Sequence, residues 1–174
     1  MNTGSHDGPH PSAEPPDRLL ADCDVRFARR SGPGGQNRNK VETAAILTHR
    51  PTGLSAEANE RRSQGENRAV ALMRLRVVLA LEIRRPTDPG AGPSPLWRSR
   101  LKGGRIVVSP SHDDFPALLA EALDAVAARG ADVKAAAEAL GCSGSQLVRF
   151  LKLEPRALQQ VNGRRAEAGL RPLK

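Results

Sequence analysis

The sequence predicts an α+β fold: a small domain of strands, a hairpin and one long helix, then a Pro/Gly linker and a helical module. Three features predict it. Residues 24–59 hold short stretches of alternating apolar and polar side chains, the period of half-buried strands. Residues 63–84 repeat leucines at three- and four-residue spacing, the period of a helix with one apolar face. Beyond residue 105, helix caps and stop signals replace alternation. At 174 residues, with 39% hydrophobic and 26% charged side chains, the chain has room for one or two small domains of ordinary composition.

Residues 1–16 carry four prolines and no periodicity, so they read as a disordered leader. They have neither a basic start nor an apolar core, so no secretory signal is expected. His6 and His10 lie there, and a loose metal site at the pair has little to support it. From Asp24 to Arg30, Val25 and Phe27 point inward and Arg26, Ala28 and Arg30 outward, which makes a strand. Ser31-Gly-Pro-Gly-Gly35 cannot extend it, because Pro33 lacks an amide and the glycines favour turns. A loop and a short helical turn over 37–43 follow. Ala44–Arg50 is the second strand. Pro51-Thr52-Gly53 is a turn, with Pro in the second position and Gly in the fourth. Leu54, Ala56 and Ala58 then face inward, which completes a hairpin.

Ser63 to Arg84 is the long helix, its apolar face formed by Leu72, Leu75, Leu79 and Ile83 with Met73 beside them. Ser63 and Glu66 form a capping box, Pro86 stops the helix, and Arg68, Arg74, Arg76, Arg84 and Arg85 are expected on its other faces. Four prolines and two glycines in 86–95 mark a linker, taken to run over 86–104. Trp97 anchors that linker onto a domain in preference to stacking on a base. Ile106–Val108 adds a short strand. Asp114 and Pro116 open a helix that Gly130 closes. Asp132 caps a second helix, Ser143 or Ser145 a third, and Pro155 starts a fourth. Within 133–153, Ala137, Gly141 and Leu147 fall where a helix-turn-helix pair needs a small residue, a left-handed turn and an apolar anchor, with Ala136, Leu140, Cys142 and Phe150 buried. The expected organisation is therefore a leader at 1–16, a catalytic domain at 17–85, a linker at 86–104 and a helical module at 105–174.

Charge narrows the function. The net charge is +8, and between Arg26 and Arg85 thirteen Lys and Arg face five Asp and Glu, so the whole excess lies there. An anionic partner follows. The basic residues form no amphipathic helix and no apolar run reaches membrane-spanning length, so no membrane partner is expected. Aromatics are 2% of the chain, with no tyrosine, which argues against a single-strand binder built on rows of stacking rings. Cys23 and Cys142 have no metal-ligand spacing; no metal or organic cofactor and a reducing, cytoplasmic setting are expected.

The chemistry centres on Gly34-Gly35-Gln36. Adjacent glycines reach backbone angles closed to other residues and allow close approach to a ligand. Gln36 places one amide and one carboxamide at the loop tip. In order, Ser31-Gly-Pro-Gly-Gly-Gln36, Asn39-Lys40, Thr48-His49-Arg50-Pro51-Thr52-Gly53, Arg62-Ser63-Gln64 and Asn67-Arg68 resemble the peptidyl-tRNA hydrolase (GGQ) domain of class I peptide chain release factors and their ribosome-rescue relatives. The resemblance covers about residues 20–85.

That resemblance implies a small α/β domain that enters the ribosomal peptidyl transferase centre and hydrolyses the ester of P-site peptidyl-tRNA. Its partners would be rRNA and the tRNA, with the chain acting as a monomer. The amide of Gln36 would stabilise the developing charge and its side chain would shape the water pocket; Gly34 and Gly35 would be conformational requirements. Arg29, Arg30, Arg38, Lys40, Arg61, Arg62 and Arg68 would contact RNA phosphates. Gln36 would be a methylation target for a glutamine methyltransferase. His49, on a hairpin strand, reads as structural. Asn37 and Arg38 stand where the family often has His and Val. Nothing in these residues resembles a codon-reading domain, and Arg164, Arg165, Arg171 and Lys174 make only a thin version of the basic tail of rescue members. Codon-independent release on stalled ribosomes is therefore the expected function. The alternative is a nucleic-acid-binding regulator that has lost hydrolysis and reads DNA or RNA through Gln146, Arg149 and Lys152 of the third helix.

Overall fold

A computed structural model of the chain describes residues 8–29, 43–88, 90 and 92–174. The chain forms two compact units, Met1–Val78 and Leu79–Lys174.

The first unit is built on a three-stranded antiparallel sheet in the order β1-β2-β3, from β1 (Cys23–Ala28), β2 (Ala44–His49) and β3 (Ser55–Ala58). The register places Val25 opposite Leu47 and Phe27 opposite Ala45, then Leu47 opposite Ala56 and Ala45 opposite Ala58. The residues expected to face inward thus share one face of the sheet. Ala45, Leu47 and Ala58 are essentially sealed from solvent, whereas Val25, on the edge strand, stays 39% exposed. The turn falls one residue earlier than expected. The amides of Thr52 and Gly53 both donate to the His49 carbonyl, and Gly53 follows at φ +71°, a conformation its missing Cβ permits. Arg50 ties the start of β1 to the end of β2: its guanidinium donates to the carbonyls of Cys23 and Ala21 and to Asp24 Oδ1.

Two expectations are corrected here. The leader was expected to be disordered to residue 16, yet Pro11–Ala13 forms a 3-10 turn and Pro16–Ala21 a helix, α1. Prolines sit in the first turn of both, where the missing amide costs nothing. Ser12 is fully buried, and its carbonyl accepts from Arg76 Nε at 3.1 Å. Arg76, expected on an outer face, is only 6% exposed. It lies on the long helix α2 (Gln64–Glu82), within which the division between the two units falls. Leu72, Leu75 and Leu79 are buried as the periodicity required, and Ala71, Val77, Ala80 and Leu81 join them.

The second unit holds α3 (Pro95–Arg100), a two-stranded hairpin of β4 (Leu101–Lys102) and β5 (Arg105–Ile106), and four helices: α4 (Phe115–Ala127), α5 (Val133–Ala139), α6 (Gly144–Leu151) and α7 (Pro155–Glu167). Part of the expected linker is therefore structured: α3 and β4 lie within 86–104. Trp97 is the reason. It is fully buried, donates from Nε1 to the Leu140 carbonyl at 2.9 Å, and meets Phe150 edge-on at 5.6 Å between ring centres. Phe115 packs on the other side of Phe150 at 5.7 Å. The last strand is Arg105–Ile106, one residue earlier than expected and shorter.

Caps fix the helices. Asp132 Oδ1 accepts from the amides of Lys134 and Ala135, Ser143 Oγ accepts from the amide of Gln146, and Gly130 and Gly141 take φ of +58° and +72°. Asp114 stands at the start of α4 but does not cap it; its carboxylate holds Arg100 instead, at 2.9 Å from Nε. Val133, Ala136, Ala137, Leu140, Leu147 and Phe150 are buried between α5, α6 and their neighbours, while Cys142 is only half-buried. Arg84, also expected outside, is mostly buried against Asp124 of α4 at 3.0 Å. Among the described residues, no helix is long and apolar enough to cross a membrane.

Candidate functional site

The chain leaves the sheet of the first unit at Ala28 and rejoins it at Ala44, and these two residues are direct partners in the β1–β2 ladder. The residues expected to do the chemistry lie in the sequence between them. Gly34, Gly35 and Gln36, with Arg30, Arg38, Lys40 and the expected helical turn, fall outside the described residues. What the structure gives is the frame that carries them.

Asn67 is the centre of that frame. It lies in the first turns of α2 and is completely buried. Its Nδ2 donates to the Thr43 carbonyl at 2.7 Å and to the Arg61 carbonyl at 3.0 Å, and its Oδ1 accepts from the Arg61 amide at 2.8 Å. One side chain thus fastens the residue that enters β2 to the segment between β3 and α2. All three polar functions of the carboxamide are used, as burial requires. Half of the expected capping box forms beside it: the Glu66 amide donates to Ser63 Oγ at 3.1 Å, and it is the Ser63 hydroxyl that donates to Glu66 Oε2, at 2.8 Å. Arg74, one face further along α2, reaches the Glu57 carbonyl at 2.8 Å and Glu60 at 2.6 Å, which ties β3 to the helix. Burial pushes the Glu60 carboxyl up, but the amides of Glu60 and Asn59 and the Arg74 guanidinium outweigh it and hold the group below the usual carboxylate range.

Four of the expected RNA contacts are described. Arg29 directly follows the end of β1, Arg61 and Arg62 lie in the segment that Asn67 holds, and Arg68 follows Asn67 on α2; all four are exposed. Arg29 thus stands at one of the strand ends that bracket residues 30–42, and Arg61 is tied to the other through Asn67 and Thr43. His49 is buried at the other end of β2, with Nδ1 at 2.8 Å from Thr52 Oγ1, a structural position. His10 bonds the Ser12 hydroxyl, and no metal-holding group of His, Cys, Asp or Glu occurs among the described residues.

This frame can be set against known proteins. The RF-1 domain family matches residues 19–89. Over those residues the chain is similar to an RF-1 domain. Similar proteins are peptide chain release factors. The chain is 52% identical over 58 residues to the chloroplastic release factor PrfB1 of Arabidopsis thaliana, across 33% of this chain and 13% of that protein. It is 38% identical over 90 residues to peptide chain release factor 1 of Rickettsia typhi, across 51% and 25%. It is 42% identical over 82 residues to peptide chain release factor 1 of Acidiphilium cryptum, across 46% and 23%. The chain thus spans a quarter or less of the length of these relatives. The RF-1 domain contains both the Gly34-Gly35-Gln36 sequence and the Asn67 frame.

Asn67 was visible in the sequence only as part of a resemblance. A physical signal was present as well: asparagine is a poor choice for a helix interior unless its side chain has backbone partners. The residues assigned to the third helix as nucleic-acid contacts lie on α6 and at its end. Arg149 and Lys152 are exposed, Gln146 is half-buried, and all three belong to the second unit.

Proposed function

We propose that this chain hydrolyses the ester of peptidyl-tRNA on the ribosome, independently of a stop codon, as a rescue factor for stalled ribosomes. The observation that carries the reading is the RF-1 domain match over 19–89 with Gly34-Gly35-Gln36 intact inside it. Ester hydrolysis needs a donor aimed at the developing oxyanion and a water with access to the carbonyl. The backbone amide of Gln36 supplies the first in this proposal, and its carboxamide shapes the space for the second. One such donor is typically worth about a hundred- to a thousand-fold in rate. Gly34 and Gly35 let the backbone come close to RNA without a Cβ in the way. Arg29, Arg30, Arg38, Lys40, Arg61, Arg62 and Arg68 meet phosphates of rRNA and tRNA, so binding is steeply salt dependent. Gln36 is the atom group a glutamine methyltransferase would modify, and a monomer suffices for this chemistry.

The test is peptide release from purified ribosomes with peptidyl-tRNA in the P site. The A site is left empty by a truncated message, filled by a sense codon, or filled by a stop codon. Release on the truncated message that disappears in Gly35→Ala is the expected result. Release confined to the stop codon would replace the rescue reading with codon-dependent termination. No release in any state would refute hydrolysis.

A further inference from the structure

The second unit carries a basic feature that the hydrolase chemistry leaves unused. Between Asp88 and Asp113 the sequence contains no acidic residue, but it contains Arg98, Arg100, Lys102 and Arg105. Arg100 is consumed internally by Asp114 and His112. Lys102 and Arg105 are both exposed, and they stand directly opposite one another across the β4–β5 hairpin. Like charges in directly opposed positions repel and weaken the pair. The two residues between them, Gly103 and Gly104, take φ of +55° and +72°, a tight turn in which neither has a side chain to shield the charges. A fold has no local reason to place two cations there.

The hairpin is also held firmly. Trp97, buried in the adjoining α3, fastens its base to the end of α5 and to α6. The Val107 amide donates to the Arg100 carbonyl at 3.0 Å. A Cβ on Gly141, in the α5–α6 turn, would meet Leu101 of β4 at 3.4 Å. β5 lies alongside α6. On α6 and its C-terminal cap, Ser145, Arg149 and Lys152 are exposed and follow one another at four- and three-residue spacing on the face opposite buried Leu147, Phe150 and Leu151. Lys134 is exposed at the start of α5, its Cα 3.9 Å from where a Cβ of Gly144 would sit. Of the carboxylates around these elements, Asp132 caps α5 and Glu154 pairs with Arg156, while Glu138 on α5 and Asp113, next to the Arg100 partner Asp114, are exposed.

We infer that the β4–β5 hairpin and the outer face of α6 form one surface that grips the phosphate backbone of double-helical RNA. The chemistry selects this ligand. Trp97, Phe115 and Phe150 are all buried, so the unit offers no exposed Trp or Phe ring on which a single-stranded base could stack. The hairpin tip is glycine, so no bulky side chain stands between its two cations and an approaching backbone. Phosphate contacts of this kind position a protein on a duplex and carry no sequence information. RNA, in preference to DNA, rests on the ribosomal reading proposed above.

The experiment uses the full chain and a fluorescent RNA stem-loop, with affinity measured from 50 to 200 mM salt. Each phosphate contact contributes about 0.9 to the slope of log affinity against log salt. Lys102→Gln with Arg105→Gln removes two contacts. The loss of affinity over that fourfold salt range should therefore be about tenfold smaller than in the parent. Removing the repulsion should leave the melting temperature equal or higher, which separates lost binding from lost fold. Arg171→Gln with Lys174→Gln makes the same change in net charge elsewhere and should leave the slope near the parent's. An unchanged slope in the hairpin variant, or an equal change in the control, would overturn the proposal. Equal binding of a DNA duplex of the same sequence would overturn the choice of RNA. Peptide release is read separately with Gly35→Ala. Intact release with an unchanged slope rejects the hairpin surface alone; absent release with a reduced slope rejects the hydrolase alone.

Discussion

Replacing Asn67 should loosen the frame of the RF-1 domain without touching its Gly-Gly-Gln sequence. In Asn67→Ala three hydrogen bonds vanish, at 2.7, 3.0 and 2.8 Å, and the Thr43 and Arg61 carbonyls and the Arg61 amide lose their partner. At roughly 0.5–1.5 kcal/mol net per bond, the expected loss is about 2–4 kcal/mol. Asn67→Asp is the sharper probe. Its one oxygen keeps the bond from the Arg61 amide, while the other now faces two carbonyl oxygens where Nδ2 had donated. The charged form is disfavoured in the fold, so the pKa of the introduced carboxyl rises above its unfolded value. A group with a raised folded pKa contributes stability below its unfolded pKa and loses it as pH rises through the folded one. The Asp variant should therefore recover at acidic pH and the Ala variant should not. Hydrogen exchange of the β2 amides is the assay, because it reports on this unit whatever the second unit does. Peptide release should fall as well, by about tenfold to a hundredfold, since a misplacement of one ångström costs that much. Parent-like exchange in Asn67→Ala, or an Asp variant with no pH dependence, would refute the reasoning.

Other predictions concern single contacts. Burial raises the Asp124 carboxyl to about 6, against the opposing pull of the Arg85 amide and Arg84. Its folded pKa thus exceeds the unfolded 3.8, and the second unit should lose roughly 3 kcal/mol as pH rises from below 4 to above 6; Asp124→Asn should flatten that part of a pH–stability curve. Trp97→Ala should cost about 3–5 kcal/mol in urea unfolding, and Trp97→Phe should recover part of it. Because Trp97 is the sole tryptophan and is fully buried, its emission in the parent should be blue-shifted and should move red on unfolding. Ser63→Ala should cost about 1 kcal/mol through the lost cap of α2, read by the same exchange measurement.

Local patterns were legible in the sequence and long-range partners were not. The alternation at 24–30 and 54–59 announced two strands, because a pleated strand with one buried face leaves a two-residue period. Asp132, Ser143, Gly130 and Gly141 announced their helix ends, because caps act within four residues of themselves. Ser12 and Arg76 are 64 positions apart, so no local pattern could show that the one orders the other. The prolines of the leader were read for composition, although Pro11 and Pro16 sit where helices begin. Trp97 anchors as its sequence setting predicts, yet nothing local shows that the expected linker is structured around it: its partners, Leu140 and Phe150, lie more than forty residues ahead. For the site, residue types and order pointed to Gly34, Gly35 and Gln36. The use of Asn67 emerged only once Thr43 and Arg61 were seen on either side of it.

The pairing of Ala28 with Ala44 has an evolutionary consequence. The register of the sheet is set on both sides of residues 29–43, fifteen positions in the sequence. Lengthening or shortening such a connection by five residues changes its closure entropy by only about 0.3 kcal/mol. Closure alone thus sets little constraint on how long that connection is. In the proposed hydrolase, a change of length there would act on the reaction before it acted on the pairing of β1 with β2. A lineage that stopped needing the proposed reaction could lose Gly34-Gly35-Gln36 and keep the pairing of Ala28 with Ala44.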